Sequence, residues 1–284
     1  RYRLKPGVYY FINPRKERYR VSVNSLGFRG VERDIIKPQG VFRIICLGGS
    51  NVYGAMINDE ETWPSQLEIT LNSIKPGRYE VWNLGVSAYV ASQMVALAEE
   101  AIEQYDPDLI IFALSNAGTP AFLWKTPIKP YFQKDPTLWE RLFPEDSLIY
   151  IPFMSYETKI RLAQKSRLFR FALCGISSIA GLKLYAHSLR TELIYEEENI
   201  TKFRNFVQKY KERVKIVVFI CPAEMCIEMD FSPYYTGLNI PVFKLEAKNM
   251  SDEYQEIHPL PHVMKWYAEN LVTWLFENKI LPQD

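Results

Sequence analysis

The chain has 284 residues, of which 48% are apolar and 24% are charged, a composition typical of an ordinary globular protein. The formal net charge is +1, so no global electrostatic field favours nucleic acid, and we expect no nucleic-acid partner. The cysteines are too few and too scattered for a disulfide framework, and we expect buried thiols: Cys46, Cys174, Cys221 and Cys226.

No apolar run reaches the roughly 20 residues that a membrane-spanning helix needs. The chain begins at Arg1 rather than at Met, and we expect that a segment preceded it. Any attachment to a membrane would then be through an anchor in that segment.

The first 42 residues are rich in Arg, Lys, Tyr and Pro and contain short alternating pieces such as residues 19–23, which predicts edge strands and loops. Four short apolar runs further along are typical of buried parallel strands: 42–47, 79–84, 109–114 and 214–220. Amphipathic stretches between or after them predict four helices: 62–72, 92–105, 200–213 and 261–278.

This alternation of strands and helices predicts an α/β fold, a flavodoxin-like three-layer sandwich in which a parallel sheet carries helices on both faces. We expect a single domain over residues 1–284, with an irregular and helical insertion at 119–199 that could alternatively form a separate cap. In such sheets, functional sites form at the carboxyl ends of the strands.

The run GGSNVYG at residues 48–54 follows the first buried strand. Its glycines allow a tight turn, and Ser50 would lie at the carboxyl end of the strand, where its own backbone amide could serve as an oxyanion donor. Two other interpretations are open at this point: a glycine-rich turn with a helix-capping serine, or a phosphate-binding loop that lacks the usual spacing.

Three further segments are predicted to reach the same edge of the sheet. NLGVSAY at 83–89 follows the second strand, SNAG at 115–118 follows the third, and EIHP at 256–259 precedes the last helix. A serine turn, a glycine-containing loop, an asparagine and a late histidine, in that order, resemble the four blocks of the SGNH (GDSL-like) hydrolases. Residues 43–118 resemble that family throughout, and NSLGFRG at 24–30 resembles an N-terminal signature of some bacterial members.

The resemblance implies a role for each matching residue. Ser50 would be the nucleophile, and His258 would be the general base that accepts its proton. The oxyanion would be held by the amides of Ser50 and Ala88 and by the side chain of Asn116. No cofactor is implied, and no metal is expected because the pair His258 and His262 lacks the HExxH pattern of zinc enzymes.

The sequence departs from the family pattern at several positions. Ala88 stands where the family has glycine, and Leu114 and Ala117 replace the glycine and aspartate of the GxND block. Gln255 stands three residues before His258, where the family has the triad aspartate, and a neutral amide cannot stabilise an imidazolium with charge. We therefore expect a Ser–His dyad with weak activity, an acid supplied from elsewhere (Glu256 or Asp252), or a site that has lost catalysis.

The leading functional expectation is a serine esterase that acts on acyl esters, chiefly acetyl esters, of a small molecule, a carbohydrate or a cell-envelope glycan. The alternatives are an O-acyltransferase that uses the same residues, a non-catalytic glycan-binding or assembly protein, and a nucleotide-binding flavodoxin-like domain. The resemblance to bacterial envelope proteins favours a periplasmic, extracellular or membrane-anchored location, with a cytoplasmic one left open.

Overall fold

A computed structural model describes residues 2–87, 89–115, 132–134, 197–221, 230–245, 254–255 and 258–282. The chain divides into two compact units. The smaller unit consists of residues 1–3 and 118–198, and the larger unit consists of residues 4–117 and 199–284. Strands β1 (Tyr2–Leu4) and β7 (Phe132–Lys134) form a two-stranded sheet. The predicted single domain with an insertion at 119–199 stays a prediction.

A five-stranded parallel sheet forms the centre of the larger unit, in the order β5-β4-β6-β8-β9. Its strands are β4 (Phe42–Gly48), β5 (Tyr79–Asn83), β6 (Leu109–Leu114), β8 (Lys215–Ile220) and β9 (Val242–Lys244). Counted along the chain, this is the order 2-1-3-4-5 of flavodoxin-like sheets. The predicted fold class is therefore confirmed.

Helices cover both faces of this sheet. The long ones are α2 (Trp63–Ile74), α3 (Ala91–Tyr105), α4 (197–210) and α6 (Pro261–Glu277). Helices α2 and α6 pack against each other and share an apolar core with alternate strand residues such as Ile111. Phe112, the next residue of β6, points to the opposite face, where its ring packs against Phe203 and Phe206 of α4. None of the helices described here is long and apolar enough to cross a membrane.

Local sequence explains where several of these elements begin and end. The hydroxyl of Thr62 accepts a hydrogen bond from the amide of Ser65 and so caps the start of α2. Asp106, in a left-handed conformation with φ of 48°, ends α3, and Pro107 follows it. Pro261 at the first position of α6 fixes a helical φ where no intrahelical donor is needed.

Smaller elements complete the described part of the chain. They are the hairpin of β2 (Gly7–Ile12) and β3 (Arg18–Val23), the single turn α1 (Ser50–Tyr53), a 3₁₀ turn (Asp59–Glu61), the short helix α5 (Ser232–Tyr235), and the two-residue strands β10 (Tyr254–Gln255) and β11 (His258–Pro259). The N-terminal hairpin is a two-stranded sheet of its own, and the edge strands and loops expected over residues 1–42 stay a prediction.

Candidate active site

Ser50 is the first residue of α1, directly beyond the carboxyl end of β4, and it is partly exposed. The turn is closed by hydrogen bonds from the amide of Tyr53 to the oxygen of Gly49 (3.0 Å) and from the amide of Gly54 to the oxygen of Ser50 (2.8 Å). Gly54 ends it with φ of 79°, a conformation that glycine adopts without steric cost. Neighbouring strands β5 and β6 lie on opposite sides of β4, so Ser50 stands at the point where the strand order reverses. Ligands bind at this point in flavodoxin-like sheets.

The loop after β5 is held against the serine turn. The side-chain amide of Asn83 donates to the oxygen of Val52 (2.8 Å), and its oxygen accepts from the amide of Gly85 (2.9 Å). One residue further, the amide of Val86 donates to the oxygen of Gly48 (3.1 Å). The loop at 83–89 therefore lies beside the serine turn at 48–54, and both are at the same edge of the sheet, as the sequence predicted.

Gly85 makes this close approach possible. A Cβ at position 85 would overlap the backbone nitrogen of Tyr53 and would lie 2.6 Å from the carbonyl carbon of Val52. Backbone atoms cannot yield in the way that the end of a flexible side chain can. Glycine at position 85 is therefore required for this close packing.

His258 lies in β11, and β11 packs beside α1, with Cα atoms of the two elements within 8 Å of each other. The imidazole is partly exposed, and its Nδ1 atom is buried. Helix α6 begins only three residues later and packs along α2. The structure thus brings together the elements that carry the predicted nucleophile and base.

Gln255 pairs with His258 in the antiparallel register of β10 and β11. The residue at the family's acid position is therefore the direct cross-strand neighbour of the histidine. The other two acid candidates, Glu256 and Asp252, lie outside the described residues.

Two oxyanion assignments also lie outside the described residues, namely Ala88 and Asn116. The chain is described as far as Ser115, and the register pairs Gly48 of β4 with Ala113 of β6. The segments that lead to Ser50 and to residue 116 thus leave the sheet at the same level. The roles of Ala88 and Asn116 stay predictions.

Arg29 is a buried residue beside the serine turn that was not singled out from the sequence. Its side chain is 1% exposed, and its guanidinium donates to the carbonyl oxygens of Tyr53 (2.6 Å), Gly54 and Ile57 (2.6 Å). The Nε atom donates to Asp59 Oδ1 at 2.9 Å. A buried cation thus binds the carboxyl end of the turn that begins with Ser50, where the helix dipole favours positive charge.

Asp59 extends this network to the N-terminal hairpin. Its carboxylate oxygens accept hydrogen bonds from the amide of Ser22 at 3.0 Å, and the exposed side chain of Arg20 approaches it at 3.4 Å. The signal available in the sequence was the resemblance of residues 24–30 and 59–64 to family segments. Its physical meaning is that Arg29, from the first of these segments, pairs with Asp59 from the second.

Among the described residues, the other reactive side chains do not form an alternative centre. Burial, followed by the negative charge of Glu68, raises the pKa of the Cys46 thiol well above its usual range, so it stays protonated and unreactive. His258 lies in a strand and His262 is exposed in the first turn of α6, so the two do not share a helix face. In the part of the chain that the structure describes, no three potential ligands cluster around a metal position. His187 lies outside it.

No protein-family model and no curated protein matches this sequence. Among solved structures, a two-domain esterase active on acetylated mannans aligns with 86% of this chain at 12% identity and a TM-score of 0.49. This chain spans about half (52%) of that esterase's length. The esterase EstA from Pseudoalteromonas sp. (11% identity, TM-score 0.48) aligns over 84% of this chain and 99% of its own. An acetyl xylan esterase (9% identity, TM-score 0.46) aligns over 82% of this chain and 100% of its own.

The fold is SGNH hydrolase-like. This rests on the chain's own sheet order, on the serine turn after β4, and on the histidine strand that precedes the last helix, which together agree with the arrangement predicted from the sequence. Fold alone does not determine activity, which depends on the residues of the site.

Proposed function

We propose that this protein is a serine esterase of the SGNH type that hydrolyses acyl esters, chiefly acetyl esters. The observation that carries the proposal is the packing of β11, with His258, against α1, with Ser50, at the reversal point of the sheet. A hydroxyl nucleophile needs an adjacent base to remove its proton, and histidine is the side chain that most often does so near neutral pH.

In this proposal, Ser50 Oγ attacks the ester carbonyl carbon while His258 accepts the hydroxyl proton. The first N–H groups of a helix have no intrahelical acceptor, so the amide of Ser50, at the start of α1, is available to the oxyanion. The amide of Ala88 and the side chain of Asn116 would complete the oxyanion hole. His258 then returns the proton to the departing alkoxide, and a water molecule hydrolyses the acyl-serine by the same two steps.

The proposal extends to the substrate and its location. We assign the ester to a carbohydrate or a cell-envelope glycan, outside the cytoplasm. The resemblance of residues 24–30 to bacterial members of the family supports this assignment.

The test is a time course with p-nitrophenyl acetate, comparing the parent with Ser50→Ala and His258→Ala. Each change should lower turnover by about a thousandfold or more, because the residues act as one unit. Matched controls are Ser73→Ala, on the exposed face of α2, and His262→Ala, in the first turn of α6, which should leave turnover unchanged. A parent that is no faster than Ser50→Ala, and whose Ser50 is not labelled by a fluorophosphonate, would contradict the proposal.

Gln255 favours a second candidate, a glycan-binding protein with weakened or lost catalysis, because an amide opposite His258 in the register supplies no charge for an imidazolium. Glycan binding that survives Ser50→Ala, together with a parent that turns over no ester, would support it. An acyltransferase would be distinguished by mass spectrometry with a sugar acceptor present, since acylated acceptor would form instead of free acid.

A further inference from the structure

The two faces of the β2–β3 hairpin have opposite character. The inward face includes Val21 and Val23, which are fully or almost fully buried. The outward face carries three large apolar side chains that remain exposed: Val8 (57%), Tyr10 (55%) and Ile12 (73%). Alternate residues of a strand lie about 6.7 Å apart. These three therefore form a continuous apolar row on one side of the hairpin.

Cations surround this row. The register places Arg18 opposite Ile12, and the Arg18 guanidinium lies 4.2 Å from the centre of the Tyr10 ring. Arg15 and Lys16, in the turn that follows Ile12, are exposed. Residues 1–20 contain seven Lys or Arg and one acidic residue, a net charge of +6, in a chain whose total is +1.

Three acidic side chains lie near this face, namely Glu17, Asp59 and Glu60. Glu17, in the hairpin turn, accepts a hydrogen bond from the side chain of Asn13 at 3.0 Å. Asp59 and Glu60 approach Arg20, the cross-strand neighbour of Tyr10, at 3.4 and 3.7 Å. At the end near Ile12, the most exposed apolar residue of the row, three cations outnumber one carboxylate: Arg15, Lys16 and Arg18 against Glu17. The net charge around this end is therefore positive.

We propose that this hairpin face (Val8, Tyr10, Ile12 and Arg18) docks on the surface of a lipid bilayer that contains anionic headgroups. Apolar side chains enter the interface while Arg and Lys keep their charged ends at the headgroup level, and tyrosine is suited to the boundary between the two. A second copy of this chain would bring like charges together. A hydrated polyanion would neutralise the charge of the Arg and Lys side chains but would leave Ile12 and Val8 exposed to water.

The experiment is co-sedimentation of the full chain with vesicles of phosphatidylcholine alone or with about one third phosphatidylglycerol. The parent should bind the anionic vesicles, and Ile12→Ser should lower the partition coefficient by about tenfold or more. The matched control is Ile36→Ser: Ile36 is even more exposed (86%) but lies close to Glu32 and Asp34 in the chain. It should change binding by less than about twofold.

A second pair of variants tests the charge. Arg18→Ser and Lys16→Ser should each weaken binding by about fivefold, and added salt should weaken the parent. The proposal is overturned if the parent does not bind anionic vesicles, if it binds neutral vesicles equally well, or if Ile36→Ser matches Ile12→Ser. It is also overturned if the parent is a dimer that Ile12→Ser dissociates, or if the face binds an acidic protein and no vesicle. All readouts are binding or assembly, so they do not depend on esterase activity.

Discussion

Arg29 and Asp59, thirty positions apart in the chain, form an ion pair whose Nε–Oδ1 distance is 2.9 Å and whose side chains are 1% and 10% exposed. The same guanidinium donates to backbone oxygens at the end of the Ser50 turn. The pair therefore joins the N-terminal region to the turn that carries the candidate nucleophile.

We predict that Arg29→Met lowers the free energy of unfolding by about 3–5 kcal/mol, because it leaves the Asp59 carboxylate without its buried partner. The measurement is urea unfolding followed by circular dichroism. The control is Arg20→Met, which removes another arginine from the same carboxylate but from a side chain that is 49% exposed. That change should cost less than about 1 kcal/mol. Equal losses from the two variants would show that the buried position of Arg29 has no special importance.

Replacing Gln255 with aspartate should raise esterase turnover. Gln255 is the cross-strand neighbour of His258, and a carboxylate there could stabilise the imidazolium that forms as Ser50 loses its proton. We expect Gln255→Asp to increase kcat for p-nitrophenyl acetate by about tenfold or more. Gln255→Asn, which keeps the amide and shortens the side chain equally, is the control and should give no increase. An unchanged kcat in the aspartate variant would mean that the charge is supplied from elsewhere or is not used.

Gly85→Ala should disturb the serine turn directly. The added methyl group overlaps backbone atoms of α1, so we expect a loss of about 1–3 kcal/mol in unfolding free energy and a lower kcat. The comparison is Gly77→Ala, where the new Cβ has open space but the φ of 71° is unfavourable. Gly77→Ala should lower stability while leaving kcat unchanged. Equal effects on kcat would argue against close packing as the reason for glycine at position 85.

The Cys46 thiol should resist modification in the folded protein. Burial and then Glu68 raise its pKa, so at about pH 8 it should react with Ellman's reagent only after unfolding. Because the folded pKa exceeds the unfolded one, its contribution to stability is complete below about pH 8.5 and declines as the pH rises towards the folded pKa. Peptide mass mapping locates the label, and Cys46→Ala should flatten the decline of unfolding free energy above that pH. Rapid labelling of Cys46 in native protein would contradict this prediction.

The strands that the sequence predicted correctly are those buried on both faces. Residues 109–114 are apolar throughout because each side of β6 meets a helix layer, and such a run can be recognised without its partners. Strand β9, Val242–Lys244, was not predicted because three residues at the edge of the sheet are too short to show a period. The two-residue strands β10 and β11 were missed for the same reason.

The site was predictable only where chemistry is concentrated in a few residues. Ser50 and His258 belong to short motifs, so they could be proposed before the structure was known. The burial of Arg29 could not be predicted, although residues 24–30 resemble a family segment, because nothing in its immediate neighbours indicates that a charged side chain is buried. Its burial depends on carbonyl groups more than twenty residues away and on Asp59.

The turn that carries Ser50 is held from outside mainly through its backbone. Asn83 binds the oxygen of Val52, Arg29 binds the oxygens of Tyr53 and Gly54, and Gly85 packs on the nitrogen of Tyr53. Peptide groups are the same whatever side chain they bear, so the position of the turn is largely independent of the residue at its first position. This makes position 50 a suitable place for re-engineering: a cysteine, or a smaller residue that leaves space for an external nucleophile, would inherit the same location at the edge of the sheet.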